Sequence, residues 1–405
     1  MGAAPRITIV GASLAGLRTA EAVLALLPEA RVTLIGDEAS VPYNRPPLSK
    51  DVPQALAQGA AEAAQFARLV LRSKIPEGAV QMRLGQAAVS VGPGGVRLAD
   101  DTLVPGDWIV AASGLRPRRL ALPGAEAHRH VLRSFDDAVR LARDLRPGAR
   151  MVVVGGGFIG CEIAATARKL GLHVTLVEPA PHPMQRALGP RVAGAMAALH
   201  RAHGVVVVTG RSVAGLTLEH VILDDGQALE AEVIVEALGS HPNVEWLAGS
   251  GADLSDGVLV DDQMRAIGAS RILAVGDLAR FANPLFDAVP RRVEHWCVPG
   301  QTARRAAETI AAQEMGHIPT AGFAPMPSFW SDQHGLRLQA FGAPALADAT
   351  RVVEGDLTQI GHHPIIVEYL RDGLPVGVLG LGANPAALAA HRARLDAALS
   401  TSVAC

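Results

Sequence analysis

The chain is 405 residues long, with 37 basic against 39 acidic side chains, a formal net charge of -2 and 49% hydrophobic residues. That near-neutral balance excludes nucleic acid as a default partner, and the length calls for roughly two to three domains. No uncharged apolar run approaches the roughly 18 residues of a membrane helix and no signal peptide is read, so a cytoplasmic protein with no membrane partner is expected. The 3 cysteines, Cys161, Cys297 and Cys405, form no pairwise motif and give no disulfide framework.

The first element is Ile7-Thr8-Ile9-Val10, a β-branched run that reads as a buried parallel strand. It enters the turn Gly11-Ala12-Ser13-Leu14-Ala15-Gly16, and a helix follows. In such a turn the first glycine allows a sharp bend, the second lets backbone approach a pyrophosphate, and the third lets helix pack on strand, with the phosphates at the helix N-terminus. Ser13 departs from the pattern, which leaves close approach strained at that point. The next strand, Val32 to Gly36, ends at Asp37-Glu38, where an acid receives a ribose hydroxyl. Residues 40 to 56 then hold Val41-Pro42-Tyr43-Asn44-Arg45-Pro46-Pro47-Leu48-Ser49-Lys50 and no cysteine, so a redox disulfide is not available there.

The same device recurs further on. Met151 to Val154 reads as a strand, Gly155-Gly156-Gly157-Phe158-Ile159-Gly160 as its turn, and His173 to Val177 as a second strand ending at Glu178. An acid at Glu178 accepts from a free ribose hydroxyl and repels a 2′-phosphate, so this copy favours NADH over NADPH. Two copies suggest electrons passing between two dinucleotides. Glu162, read as lying on the first helical turn after the second fingerprint, is also where the helix macrodipole favours an acid.

His200 and His203 share an i, i+3 spacing, but no third ligand accompanies them in sequence and no metal is assigned. Asp224-Asp225-Gly226 reads as a hairpin turn. Ile272 to Val275 is a buried strand that delivers Gly276 and Asp277 at its C-terminal end, where α/β folds bind ligands. A helix is expected over 301–313, carrying Arg304 and Arg305. After Pro319 the pattern changes to strands at 335–341 and 364–370 and a helix over 385–399. Glycine and proline together at Ser113 to Pro117 and at Gly239 to Asn243 mark two crossings. The expected fold is α/β, with two Rossmann-like dinucleotide-binding domains and a C-terminal α+β domain. The first dinucleotide-binding domain takes 1–115 and 239–318, the second 116–238, and the cap 319–405.

On these residues the chain resembles the putidaredoxin reductase-like family of NADH-dependent ferredoxin reductases. The likeness rests on the first fingerprint with its Leu34-Ile35-Gly36-Asp37-Glu38 strand end, on Arg45 to Lys50, and on Gly155 to Glu162. It rests further on Ala274-Val275-Gly276-Asp277, on Val293-Glu294-His295-Trp296 and on Phe329-Trp330-Ser331-Asp332-Gln333. The resemblance implies FAD in the first copy and NADH in the second. It implies that Gly11, Ser13, Leu14, Ala15, Gly16, Asp37, Arg45, Arg133, Gly276, Asp277, Glu294 and His295 hold FAD, and that Gly155, Gly157, Phe158, Ile159, Gly160 and Glu178 hold NADH. Lys50 and Glu162 are implied as an ion pair beside the flavin, with Trp296 on the ring's far side and Trp330 to Gln333 at its edge. The implied partner is an acidic [2Fe-2S] ferredoxin that serves a bacterial monooxygenase or dioxygenase, docked through the basic helix with Arg304 foremost, on a monomer or weak dimer.

Two other functions remain open from the sequence. An NADH oxidase or peroxidase shares both fingerprints but needs a redox cysteine near the flavin, where only Ser49 stands. A signalling flavoprotein whose assembly answers NADH is the other. Cys161 and Cys297 read as inert thiols.

Overall fold

The structure, a computed structural model, describes residues 4–317 and 322–403; the expected 318/319 boundary and Cys405 lie outside the described residues. It divides into two compact units. The first runs to Asn44 and adds Val70–Arg116 and His241–Pro327; the second takes Arg45–Leu69, Pro117–Ser240 and the chain from Ser328 onward.

The first unit is built on five parallel strands in the order Ile272–Ala274, Trp108–Ala111, Arg6–Val10, Arg31–Ile35 and Val80–Arg83. Ile7, Ile9, Leu34 and Val110 are buried, as expected of strands covered on both faces. Two helices, Leu14–Leu26 and Val298–Glu314, pack on each other, and Ala20, Val23, Ala306 and Ile310 join the same core. The second of these begins at Val298, ahead of the expected 301, because Pro299 costs no hydrogen bond in a first turn whose N–H groups lack helical partners.

The second unit repeats the plan. Its five parallel strands run in the order Val206–Thr209, His173–Glu178, Arg150–Val154, Val233–Glu236 and Arg129–His130. The turn at Asp224 to Gly226 joins the antiparallel strands His220–Leu223 and Ala228–Glu230. The C-terminal part is an antiparallel sheet ordered Ser328–Gln333, Leu336–Gly342, Leu374–Leu381, Ile365–Arg371 and Ala349–Glu354, followed by a helix over Pro385–Val403. The buried Tyr369 hydroxyl donates to the Leu188 carbonyl at 2.9 Å, which ties that sheet to the helix Gln185–Ala202.

The units change over at Arg116/Pro117 and Ser240/His241, beside the two expected crossings. Arg45–Leu69 differs from expectation: it packs with the second unit and not with the preceding residues. The reason is hydrogen bonding to residues far along the chain. Thr166 Oγ1 donates to the Ser49 carbonyl at 2.9 Å, and the Arg45 guanidinium donates to the Arg133 carbonyl at 2.8 Å. Among the described residues, no helix is long and apolar enough to cross a membrane.

Candidate nucleotide and redox sites

In the first unit the strand Arg6–Val10 ends at Gly11, whose φ of +126° lies in the region that only glycine adopts without strain. A Cβ there would stand 2.0 Å from the Ala112 carbonyl oxygen, and one on Gly16 would stand 2.0 Å from the Gly11 carbonyl oxygen. Both glycines are therefore dictated by backbone crossing backbone. Ser13 precedes Leu14 as the helix N-cap in extended conformation, with φ of -132°, so the serine adds no backbone strain. Its counterpart in the second copy, Gly157, has nothing within 4 Å of a built Cβ, so this position has room for a side chain in that copy.

Gly276 meets Ala15 at the start of the same helix: a Cβ on Gly276 would be 2.9 Å from the Ala15 Cβ. The Gly276 N–H donates to Thr302 Oγ1 at 2.9 Å, and Asp277 is thereby held next to the first nucleotide turn. Asp37 is exposed at the end of its strand and accepts from the Glu38 N–H at 3.0 Å, while Tyr43 donates to Glu38 at 2.5 Å. Glu294, His295 and Trp296 follow in the same unit. Glu294 pairs with Arg292 at 2.6 Å, and burial pushes His295 down to about 4, so it is neutral at neutral pH.

In the second unit Gly155 and Gly160 repeat these constraints, against the Ala237 carbonyl at 2.3 Å and the Gly155 carbonyl at 2.0 Å. Ile159, two residues into the helix, is exposed, and Phe158 lies 5.2 Å from the Phe329 ring. Glu178 accepts from the Gly156 N–H at 2.7 Å and from the Ala180 N–H at 2.8 Å. The two copies fill one equivalent spot in opposite ways. In the second, glycine at 156 makes room for the Glu178 carboxylate; in the first, a Cβ on Gly36 would be 2.6 Å from the Ala12 methyl. Both turns have the cradle that a dinucleotide pyrophosphate requires.

Lys50 and Glu162 come together at 2.7 Å. Glu162 is the fifth residue of the helix Phe158–Lys169, one turn beyond the expected place, so the macrodipole does not account for it. It is buried, and its remaining acceptor capacity is filled by two hydroxyls: Ser49 donates to Oε2 and Ser331 donates to Oε1 at 2.6 Å. Lys50 also donates to the Pro46 carbonyl at 3.1 Å. The Pro46–Ser49 turn is thus what aims the ammonium at the carboxylate. Arg133 lies just ahead of the helix Phe135–Ala142, whose N-cap is Ser134, and the N–H groups of Arg133 and Ser134 donate to Asp137 at 3.0 and 2.9 Å.

Three residues differ from their expected settings. Arg305 is buried, and its guanidinium donates to the Asp262 carbonyl at 2.8 Å, so it belongs to the fold and not to a docking face; Arg304 is exposed. His200 and His203 do have a third histidine beside them, His334, which the sequence places far away in the C-terminal part. Among the described residues no group of three or more His, Cys, Asp or Glu side chains could hold a metal ion. Burial raises the Cys161 thiol well above its usual value, which makes it a poor nucleophile.

In sequence, Ser331 and Gln333 stand only as parts of a motif, Ser49 only as the residue where a redox cysteine would be, and His334 carries no signal. A signal was present in Ser328–Gln333, whose alternation turns Phe329, Ser331 and Gln333 to the buried face.

Residues 5–316 match the pyridine nucleotide-disulphide oxidoreductase family and residues 328–404 the reductase C-terminal family. The chain belongs to the pyridine nucleotide-disulphide oxidoreductase family and carries the reductase C-terminal domain. It is 36% identical over 347 residues to the ferredoxin reductase component of chlorobenzene dioxygenase from Cupriavidus sp. (strain PS12), covering 84% of this chain and 81% of that one. It is 34% identical over 374 residues to putidaredoxin reductase from Pseudomonas putida, covering 89% and 85%. Among solved structures, the covalent putidaredoxin reductase-putidaredoxin complex superposes with a TM-score of 0.87 at 30% identity, covering 98% of this chain and 94% of that one.

Proposed function

We propose that this protein is an NADH:ferredoxin reductase that uses FAD, with a [2Fe-2S] ferredoxin of a bacterial oxygenase system as its electron acceptor. The observation that carries the reading is the Lys50–Glu162 ion pair, with Lys50 standing in a stretch, residues 40 to 56, that holds no cysteine, in a family otherwise associated with disulfide chemistry. The ferredoxin reductase relatives support it.

When bound, FAD would supply hydride acceptance and single-electron release. The chain's own residues supply position and charge. Gly11, Ser13, Leu14, Ala15 and Gly16 would receive the FAD pyrophosphate, Asp37 the ribose, and Gly276 and Asp277 the returning half of the cofactor, with Glu294 and His295 in the same unit. Gly155, Gly157, Phe158, Ile159 and Gly160 receive NADH, and Glu178 disfavours a 2′-phosphate. The Lys50 ammonium, fixed by Glu162, would offset negative charge gained by a bound flavin on reduction, and Trp296 is proposed as a flavin contact. Arg304 offers a cation to an acidic partner.

The test is an anaerobic titration with NADH and, separately, with NADPH, followed by a bacterial [2Fe-2S] ferredoxin and cytochrome c. Bleaching of a flavin band by NADH, with cytochrome reduction that depends on ferredoxin, is the expected result. A flavin that NADH bleaches and ferredoxin does not reoxidise would overturn the reading.

A further inference from the structure

Glu162 is the end of a longer chain of contacts within the second unit. Ser331 Oγ lies 2.6 Å from Glu162 Oε1, and Gln333 Nε2 lies 2.9 Å from Ser331 Oγ. Gln333 Oε1 lies 2.9 Å from His200 Nε2, and His200 Nδ1 lies 3.0 Å from His334 Nε2. Ser331, Gln333 and His200 are all buried, while His334 stacks on the exposed His203 with ring centroids 4.2 Å apart.

The direction of every donor in this chain follows from chemistry. An ionised carboxylate only accepts, so the single Ser331 proton goes to Glu162. Ser331 Oγ is then an acceptor, and only the amide N–H₂ of Gln333 can face it; the opposite amide orientation would press two oxygens together at 2.9 Å. The Gln333 oxygen therefore accepts, and His200 donates from Nε2. A neutral imidazole has one N–H, so His200 Nδ1 is bare and must accept from His334 Nε2. Burial pushes His200 down to about 4 and His334 to about 3, which keeps both rings neutral at neutral pH.

The outer end is held in place by a tight turn. His334 and Gly335 form the two-residue turn between the strands Ser328–Gln333 and Leu336–Gly342, with φ of +52° and +79°. Asparagine or glycine is the usual occupant of the first position in such a turn, and histidine is among the residues that also adopt it. Its ring lands on His200 and His203.

We propose that His200 and Gln333 are positioning residues that aim the Ser331 hydroxyl at Glu162 and thereby hold the carboxylate against Lys50. An amide in mid-chain has no proton to hand on in its ordinary form, so the chain orients and does not conduct. This inference rests on the reading that the Lys50–Glu162 pair serves the flavin. The charged and titratable groups around the two ends are Lys50 and Cys161 at Glu162, and His203 and Arg168 at His334.

The test has two arms on the holoenzyme. Nitrogen-15 NMR of labelled histidine, assigned with His200→Gln, is expected to find the His200 proton on Nε2; a proton on Nδ1 overturns the inference whatever the protein's activity. In stopped flow, Gln333→Met and His200→Leu are expected to move the acid limb of the pH profile for flavin reduction by NADH upward by about one unit, the size of one lost hydrogen bond to a charged group. His200→Gln, which keeps a donor near the Nε2 position, restores the profile, and in a Glu162→Gln background the shift disappears. An unmoved profile in variants with native circular dichroism, or the same shift without Glu162, overturns it. Loss of ferredoxin reduction with the tautomer intact sinks the reductase reading and leaves the chain standing.

Discussion

The Glu178 carboxylate bridges two backbone N–H groups, Gly156 at 2.7 Å and Ala180 at 2.8 Å, so the acid that ends the strand also laces the nucleotide turn to the loop that follows. Glu178→Ala removes both ties and the negative charge. The Michaelis constant for NADH is expected to rise about tenfold, from the loss of a charged hydrogen bond, and the preference against NADPH to narrow. Steady-state kinetics with both cofactors checks this, and an unchanged ratio refutes the assignment of Glu178.

Lys50→Met strands the Glu162 charge in a buried setting, with only Ser49 and Ser331 left to satisfy it. Breaking one side of such a pair costs on the order of 3 kcal/mol, so a lower Tm is expected together with slow flavin bleaching by NADH. The double variant Lys50→Met with Glu162→Gln should recover much of the Tm and none of the rate.

Two glycine substitutions separate fold from cofactor. Gly16→Ala drives a methyl to 2.0 Å from the Gly11 carbonyl oxygen and should lower stability by about 3 kcal/mol or prevent folding. Gly157→Ala meets open space and should leave Tm nearly unchanged while raising the Michaelis constant for NADH. Thermal denaturation beside kinetics distinguishes them.

Acid should weaken the second unit through its histidines. An unfolded histidine takes up its proton near pH 6.5, the folded His200 only at about 4. Between these values the unfolded chain binds more protons, so stability falls as the pH drops through that window. Tm measured from pH 7 to 4 should decline, and His200→Gln should flatten part of the decline.

The neighbours Arg304 and Arg305 should part company. Arg304→Glu is expected to cut kcat/KM for ferredoxin severalfold at low salt, with the loss shrinking as salt rises. Arg305→Met removes a buried hydrogen bond to Asp262 and should lower Tm instead.

Much of this was legible because it is local. Strand, glycine turn, helix and terminal acid lie within some thirty residues of one another in each copy, and the chemistry of each turn is written in neighbouring letters. The association of Arg45–Leu69 with the second unit was not legible, since it depends on Thr166 and Arg133, far along the chain. Arg305 reads from sequence as a twin of Arg304; only the helix phase against Asp262 buries one and exposes the other. His334 could not be joined to His200 in advance, because a hairpin tip more than a hundred residues away brings it there.

Ala12 with Gly36, and Gly156 with Glu178, are two interlocking answers to one small volume, and neither half can be changed alone. A carboxylate introduced at residue 36 would collide with the methyl at Ala12, and trimming Ala12 first would leave an unfilled gap. A methyl at residue 156 would crowd Glu178 and Pro183 at 3.0 to 3.1 Å. Each copy is therefore locked to its own style of recognition by mutual dependence, and re-engineering one into the other requires paired substitutions whose separate effects do not add.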